Sequence, residues 1–349
     1  MAKEKVSKNS LMARLLETST IKETSVLENS EFFNDRDQIK TDVPALNIAL
    51  CGDINGGLTC GTTVFAGPSK HYKTGMGLEL VAAYLNFYKD AVCIYYDSEH
   101  GSTPTYVAEA GVDIARVIHS PIMHIEQLKF DITKQLDNLS RGEKVIFFID
   151  SLGNLASKKE LDDALAEKEV ADMTRAKMMK QLFRIITPYL NSRDVPCVAI
   201  AHEYKSQDFI PKSIVSGGTG IMLSANNVFL VTRAQEKDGD EHTGWKFTLN
   251  VEKSRFIKEK SKIPIIVTYT GGVEKWSGLL DLALEGGFVK KIPSKPTTYQ
   301  RNMADLDGKV IEDKSWLLKD TNSEEFWNPV LLDGTFNKWI GDQFKLGSN

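Results

Sequence analysis

Eight consecutive residues, Gly67, Pro68, Ser69, Lys70, His71, Tyr72, Lys73 and Thr74, form a glycine-led turn that ends in a lysine and a hydroxyl side by side. The turn follows the apolar run TVFA and precedes Met76, Leu80, Tyr84 and Tyr88, spaced as one helical face. A turn between a predicted strand and a predicted helix is the setting of a phosphate-binding loop. Backbone N–H groups and the positive helix terminus would face phosphate oxygens, Lys73 would neutralise the β and γ charge, and the Thr74 hydroxyl would ligate Mg2+. The strict spacing has glycine where Tyr72 stands, so that position must either tolerate a side chain or take a different backbone angle. A basic surface turn is the bland alternative. Two further segments bear on the choice. VIFFID leaves Asp150 at the carboxyl end of an apolar strand, where a carboxylate can hold a Mg2+ shell. IYYDSEHG carries Asp97 and Glu99 to the end of another, where a glutamate can polarise the water that attacks a γ-phosphate. Each acid alone reads equally well as a solvated loop residue. Three such ends on one sheet edge point instead to hydrolysis of a nucleoside triphosphate.

The elements that must hold these residues are legible as an alternation. The β-rich runs TVFAG, AVCIYYD, RVIHS, KVIFFID, PCVAIA and NVFLVTR are separated by helical patterns, which predicts an α/β fold with a mainly parallel sheet flanked by helices. Met178, Leu182, Ile185 and Tyr189 mark the apolar face of a second helix. After Arg233, WKFTLNVEKSR and KIPIIVTYTGG predict an antiparallel extension with a basic turn. Residues 1–40 form a polar arm with one short helical face (Leu11, Met12, Leu15, Leu16) and the adjacent Phe32 and Phe33, which have no core of their own to enter. These two aromatics are expected to dock on a neighbouring subunit, with packing against the chain's own core as the alternative. The expected organisation is the arm, a core over residues 41–289, and a small C-terminal lobe over 290–349 anchored by Trp316, Trp327 and Trp339.

With 349 residues, 42% of them apolar, the chain can bury a sizeable core. A net charge of −4 gives no global attraction for polyanions, so any must be held by local patches. The four cysteines are scattered, which indicates neither a zinc site nor a disulfide framework. Neither a leader-like apolar segment nor an apolar stretch of spanning length is found, so a cytoplasmic protein with no membrane association is expected.

EHGSTPTYVAEAGVDI, FIDSLGNL, CVAIAHE, SGGTG and VEKSR, in this order, resemble the core of the RecA recombinase family. SLGNLASKKE, ADMTRAKMMKQLFRI, AGPSK, SEFFN, KSWLLKDTN and the aromatic at Tyr72 are similar to its UvsX-type branch, the strand-exchange recombinases of T-even bacteriophages. The second likeness runs through nearly the whole chain, the first mainly through residues 62–288. The resemblance implies a RecA-like ATPase core with a polymerisation arm, with ATP and Mg2+ as ligands. It makes Glu99 the hydrolytic glutamate, Tyr106 the residue stacked on adenine, and His202 the γ-phosphate sensor where RecA has glutamine. Thr103 stands where RecA offers an acid toward the base, which implies looser base discrimination.

The same resemblance implies two DNA-facing loops, roughly Ala156 to Asp172 and Glu203 to Gly218. The DNA-binding candidates are Arg175, Lys177, Arg184, Lys205 and Lys212, with backbone amides around Gly217 and Gly218. Each cation reads equally well as part of a solvated surface. Aromatics are scarce there, which favours reading of the DNA backbone over the bases. Lys246 to Lys262 holds six Lys or Arg against two Glu. In the family, cations at the places of Lys253 and Arg255 reach the neighbouring subunit's ATP. The implied function is an ATP-dependent recombination, repair and replication protein that forms helical filaments on single-stranded DNA and exchanges strands with homologous duplex. A recombination mediator and a single-strand binding protein are the expected partners. The alternatives are a ring-forming replicative helicase and a non-hydrolysing, ATP-gated DNA-binding mediator.

Overall fold

The structure is a computed structural model that describes residues 11–30, 36–167, 174–205, 213–238, 241–269, 271–302, 312, 314–332 and 334–347. The chain divides into two compact units, Met1–Asp37 and Gln38–Asn349. In the first, α1 (Leu11–Thr18) is amphipathic, and Leu11, Met12 and Leu15 stay exposed within it. Phe32 and Phe33 lie outside the described residues.

The second unit begins with α2 (Pro44–Cys51), β1 (Gly61–Ala66), α3 (Lys73–Phe87), β2 (Val92–Asp97), α4 (Pro104–Glu109), β3 (Val117–Pro121), α5 (Ile125–Asn138) and β4 (Val145–Asp150). It continues through α6 (Lys158–Leu165), α7 (Thr174–Arg193), β5 (Pro196–Ala201), β6 (Glu203–Lys205), β7 (Ser213–Val215), α8 (Thr219–Ser224) and β8 (Asn227–Asp238). The long antiparallel part follows with β9 (Glu241–Ser254), β10 (Lys262–Thr268) and β11 (Gly272–Val273). Then come α9 (Leu279–Glu285), β12 (Val289–Ile292), β13 (Lys295–Arg301), β14 (Trp316–Leu317), α10 (Glu324–Leu332) and α11 (Thr335–Phe344).

Among the described residues, nine strands form one sheet in the order β11-β10-β9-β8-β1-β5-β4-β2-β3. The six from β8 to β3 run parallel, and β9, β10 and β11 extend them antiparallel. The strands β1, β2, β4 and β5 are buried almost throughout because both faces of the sheet are covered there, whereas the edge strand β3 is largely exposed. In β4, Ile146 and Phe148 face one apolar cluster with α2 and α3, while Phe147 and Ile149 face the other with α5 and α7. The buried face of α7 is Met179, Leu182, Phe183, Ile186 and Leu190. This corrects the expected face: Met178, Ile185 and Tyr189 are only half-buried, because the helix is rotated by about one residue toward the sheet. The segment expected as the first loop contains α6, which Ser157 and Glu160 start with a reciprocal capping box. The four cysteines are buried thiols that form no disulfide. No helix among the described residues is long and apolar enough to cross a membrane.

Toward the C-terminus, Trp316, Phe326, Trp327, Phe336 and Ile340 join the same apolar cluster as Ile263 and Ile265 of β10. One ion pair braces this region. Arg301 donates from Nε to both carboxylate oxygens of Glu312 (2.9 and 2.8 Å) and from Nη1 to the carbonyls of Glu325 and Phe326, both at 3.0 Å. Burial opposes the Glu312 charge, yet the hydrogen bonds from Arg301 and Trp316 hold its carboxyl below the usual range. Arg301→Ala would strand that carboxylate, and a loss of about 3 kcal/mol is expected in urea unfolding at pH 7. A group with a lowered folded pKa contributes fully above its unfolded value and loses that contribution as pH falls through the folded one. The difference between wild type and variant should therefore shrink on acidification below about pH 4.

Candidate nucleotide-binding and hydrolysis site

Parallel register brings the carboxyl ends of the central strands level: Ala66 pairs with Ala201, and Asp97 with Asp150. The phosphate loop leaves β1 at Gly67, whose φ of +156° and position 2.8 Å (as a built Cβ) from the Val231 carbonyl oxygen favour glycine. Tyr72, at φ 53° and ψ 23°, keeps the left-handed backbone that the strict motif gives to glycine. The position therefore tolerates a side chain. Its cost, roughly 1–2 kcal/mol, is offset by the ring, which stacks on Phe247 with centroids 6.0 Å apart at 26°. Lys70 is also left-handed, and its carbonyl accepts from Arg233 Nη1 at 3.0 Å. His71 Nδ1 lies 3.0 Å from the Ser69 carbonyl oxygen.

Lys73 is buried at 6% exposure, and its Nζ donates to the Pro68 carbonyl at 2.7 Å. Burial pushes its pKa down, against the pull of Asp150 and Glu99. The Thr74 hydroxyl donates to Asp150 Oδ2 at 2.7 Å. Asp150 is itself buried, and burial pushes its carboxyl up to about 6, with Glu99 and Asp97 adding to the rise. Its Oδ1 is a buried acceptor without a hydrogen-bond partner in the structure. An orphaned carboxylate oxygen beside a threonine hydroxyl is an oxygen-only donor set that fits a hard cation such as Mg2+.

Glu99 follows β2 on a turn held by Asp97, whose buried Oδ1 accepts from the N–H of Glu99 at 3.0 Å and of His100 at 2.7 Å. Its Oε1 accepts from Ser151 Oγ at 2.6 Å and lies 3.1 Å from His202 Nε2. The His202 hydrogen bond holds the Glu99 carboxyl below the usual range despite partial burial, so it is ionised at neutral pH. Two serines stitch the turns together: Ser98 N donates to Asp150 O (2.8 Å), and Ser151 N donates to Ser98 Oγ (3.0 Å).

Lys73, Glu99, Asp150 and His202 line one cleft of about 810 Å³ with Ser69, Lys70, His71, Tyr72, Thr74 and Tyr106. Tyr106 shows its ring to the cleft at 38% exposure, on the short helix α4 capped by Thr103, whose hydroxyl accepts from Tyr106 N. The aromatic lining beside the phosphate loop, Trp245, Phe247 and Tyr269, was not singled out in the sequence; alternation in WKF and the end of KIPIIVTYTGG are the signals for it. Arg233, also unmarked, lies 4.1 Å over the Trp245 ring while it holds Lys70.

The DNA-binding candidates fare differently. Lys177 and Arg184 are exposed on α7, and Lys180 shares their face at helical spacing. Arg175 is not part of that surface. Its guanidinium turns inward onto Leu155 O, Leu152 O, Gly153 O and Ser216 Oγ, a cluster of acceptors that its planar fork of donors satisfies together. The expected amides are also corrected: Gly217 is buried, and Gly218 N donates to Val215 O at 3.3 Å to close its own turn. Lys212 and the Lys205 side chain lie outside the described residues. The described ends of the second expected loop form the β6–β7 hairpin. Lys253 donates to Leu223 O at 3.0 Å, Arg255 is exposed, and neither lines the cleft of its own chain.

Residues 16–274 match the family profile of the RecA N-terminal domain. Residues 276–340 match that of the C-terminal domain of the bacteriophage T4 recombination and repair protein. The recombination and repair protein of Enterobacteria phage T4 is 51% identical over 340 residues, which is 97% of this chain and 86% of the T4 protein. Protein RecA of Streptomyces venezuelae is 29% identical over 258 residues, 72% of this chain and 65% of that protein. Protein RecA of Ectopseudomonas oleovorans is 28% identical over 262 residues, 74% of this chain and 72% of that protein.

Proposed function

This chain belongs to the RecA family, in its UvsX-type phage branch, and from that premise we propose that it is an ATP-dependent recombinase that polymerises on single-stranded DNA and exchanges strands with homologous duplex. The observation that carries the reading is the meeting of Lys73, Thr74, Asp150, Glu99 and His202 at one sheet edge, in a cleft with room for a nucleoside triphosphate. Thr74 and Asp150 would hold Mg2+, which when bound supplies charge neutralisation to the phosphates. Lys73 gives up the Pro68 carbonyl to pair with β and γ oxygens. Glu99, ionised and fixed by Asp97, accepts the proton of the attacking water. His202, on the glutamate's other side, is placed to exchange Glu99 for phosphate as its partner. Tyr106, with the other aromatic side chains that line the cleft, takes the base. The exposed cations Lys177 and Arg184 take DNA phosphates. Lys253 and Arg255 complete the site of the adjacent protomer, and the arm with Phe32 and Phe33 makes the subunit contact. A phage recombination mediator and single-strand binding protein are the proposed partners, and the host cytoplasm the proposed compartment.

Electron microscopy with ATP and single-stranded DNA separates this reading from the alternatives. Open helical filaments support it, whereas closed rings favour a helicase and unassembled protein a mediator. Glu99→Gln keeps the shape and loses the base. We expect ATP and DNA binding to be retained, turnover to fall by at least about 10²-fold, and filaments to become long-lived, as read by steady-state hydrolysis and dissociation kinetics. Equal loss of binding and turnover would make Glu99 structural.

A further inference from the structure

Arg175 is the second residue of α7, and sequence placed it among the DNA-facing cations. Its surroundings assign it other work. Nε donates to Leu155 O at 2.8 Å, and Nη2 reaches Leu152 O at 3.1 Å, Gly153 O at 2.9 Å and Ser216 Oγ at 3.3 Å. Leu152, Leu155 and Ser216 are buried, so these acceptors depend on the guanidinium for their hydrogen bonds. Leu152, Gly153 and Leu155 follow directly on the Asp150–Ser151 strand end, whereas Ser216 closes the hairpin that leaves and returns to His202. One planar fork thus joins two segments that arrive at the site from different strands.

Both segments grip His202. Ser216 N donates to the His202 carbonyl at 2.7 Å. Gly153 lies close against the imidazole: a Cβ built on it would fall 2.1 Å from His202 Cδ2. The His202 Nε2 then meets Glu99 Oε1 at 3.1 Å. His202 therefore has its backbone fixed by one segment and its ring packed against the other, and Arg175 holds the two together.

We propose that Arg175 is a positioning residue, a latch between the roots of the two loops that sets His202 against Glu99, and not a contact to DNA phosphate. The proposal deepens, and rests on, the reading of Glu99 and His202 as the hydrolytic pair. The test uses the full chain with oligo-dT as the single-stranded probe, and Arg175→Lys as the variant, since a lysine keeps the charge and stem but cannot span four acceptors. We expect kcat for DNA-stimulated ATP hydrolysis to fall roughly 10- to 100-fold with the KM for ATP within about twofold. In Arg175→Gln, which removes the charge, the salt dependence of oligo-dT binding should keep its slope. Ser216→Ala, a small change in a folded background, should give part of the loss alone and none in addition in the Arg175→Lys chain, because both cut the same latch. A slope reduced by about one in Arg175→Gln, with its kcat at saturating DNA kept, would identify a phosphate contact and overturn the proposal. Additive losses, or wild-type kcat in Arg175→Lys, would overturn it as well. A failure of the underlying reading looks different: wild-type hydrolysis would not respond to DNA, or would survive Glu99→Gln.

Discussion

Replacing Lys253 and Arg255 together by alanine should leave the ATP affinity of the dilute monomer almost unchanged and cut DNA-stimulated hydrolysis by about 10³-fold or more, the range of a cation supplied in trans. A change of that size is about 4 kcal/mol of transition-state stabilisation. Neither side chain lines the cleft of its own chain. Lys253 instead rests on the Leu223 carbonyl at the end of α8, where burial, and then the neighbouring Arg255, push its pKa down. An isolated subunit therefore has the phosphate loop, Thr74, Asp150 and Glu99 but lacks the charge that stabilises the leaving γ-phosphoryl, and turnover should follow polymerisation. Mixing sharpens the test. Subunits lacking Glu99 and subunits lacking Lys253 and Arg255 are each inactive alone, but a mixed filament contains interfaces that pair the intact halves. Activity should return on mixing; co-assembly without any recovery would place the two cations in cis or on DNA.

Lys73→Ala should abolish nucleotide-supported DNA binding. The lysine is the one buried cation of the cleft among the described residues, and it already bonds the loop's own Pro68 carbonyl at 2.7 Å. Its removal takes away the main side-chain partner of the β and γ phosphates. It also removes a charge that lowers the Asp150 pKa, so a carboxyl already pushed up to about 6 by burial would rise further and compete less well for a cation. Filter binding to single-stranded DNA with and without ATP reads the effect. ATP-dependent binding at the wild-type level in this variant would remove the phosphate-loop assignment.

Much of this was open to reading because a parallel sheet turns sequence order into geometry. Runs such as VIFFID and IYYD are buried on both faces, so they stand out as continuous apolar stretches, and the first polar residues after them must lie on the shared carboxyl edge. Asp150 and Glu99 were found that way. What escaped depends on tertiary detail. The Tyr72 backbone angle is set by its stack on Phe247, 175 positions away in the chain. The aromatic lining comes from antiparallel strands whose register with the phosphate loop is invisible in a single chain. The α7 face was displaced by one residue because Met178 and Met179, and Ile185 and Ile186, are adjacent apolar pairs that periodicity alone cannot order. Arg175 has the composition of a surface cation, and only the buried carbonyls around it reveal its direction.

Homologous strand exchange is read by following a labelled strand from a short duplex as it is displaced by single-stranded DNA coated with this protein and ATP. Displacement should occur when the single strand matches the duplex, and it should fail with a heterologous strand of equal length or with Lys73→Ala. Equal displacement from homologous and heterologous duplexes would reveal unwinding without pairing, and no displacement from the matched duplex by filaments that hydrolyse ATP would leave a DNA-dependent ATPase that is not a recombinase; either result contradicts the account.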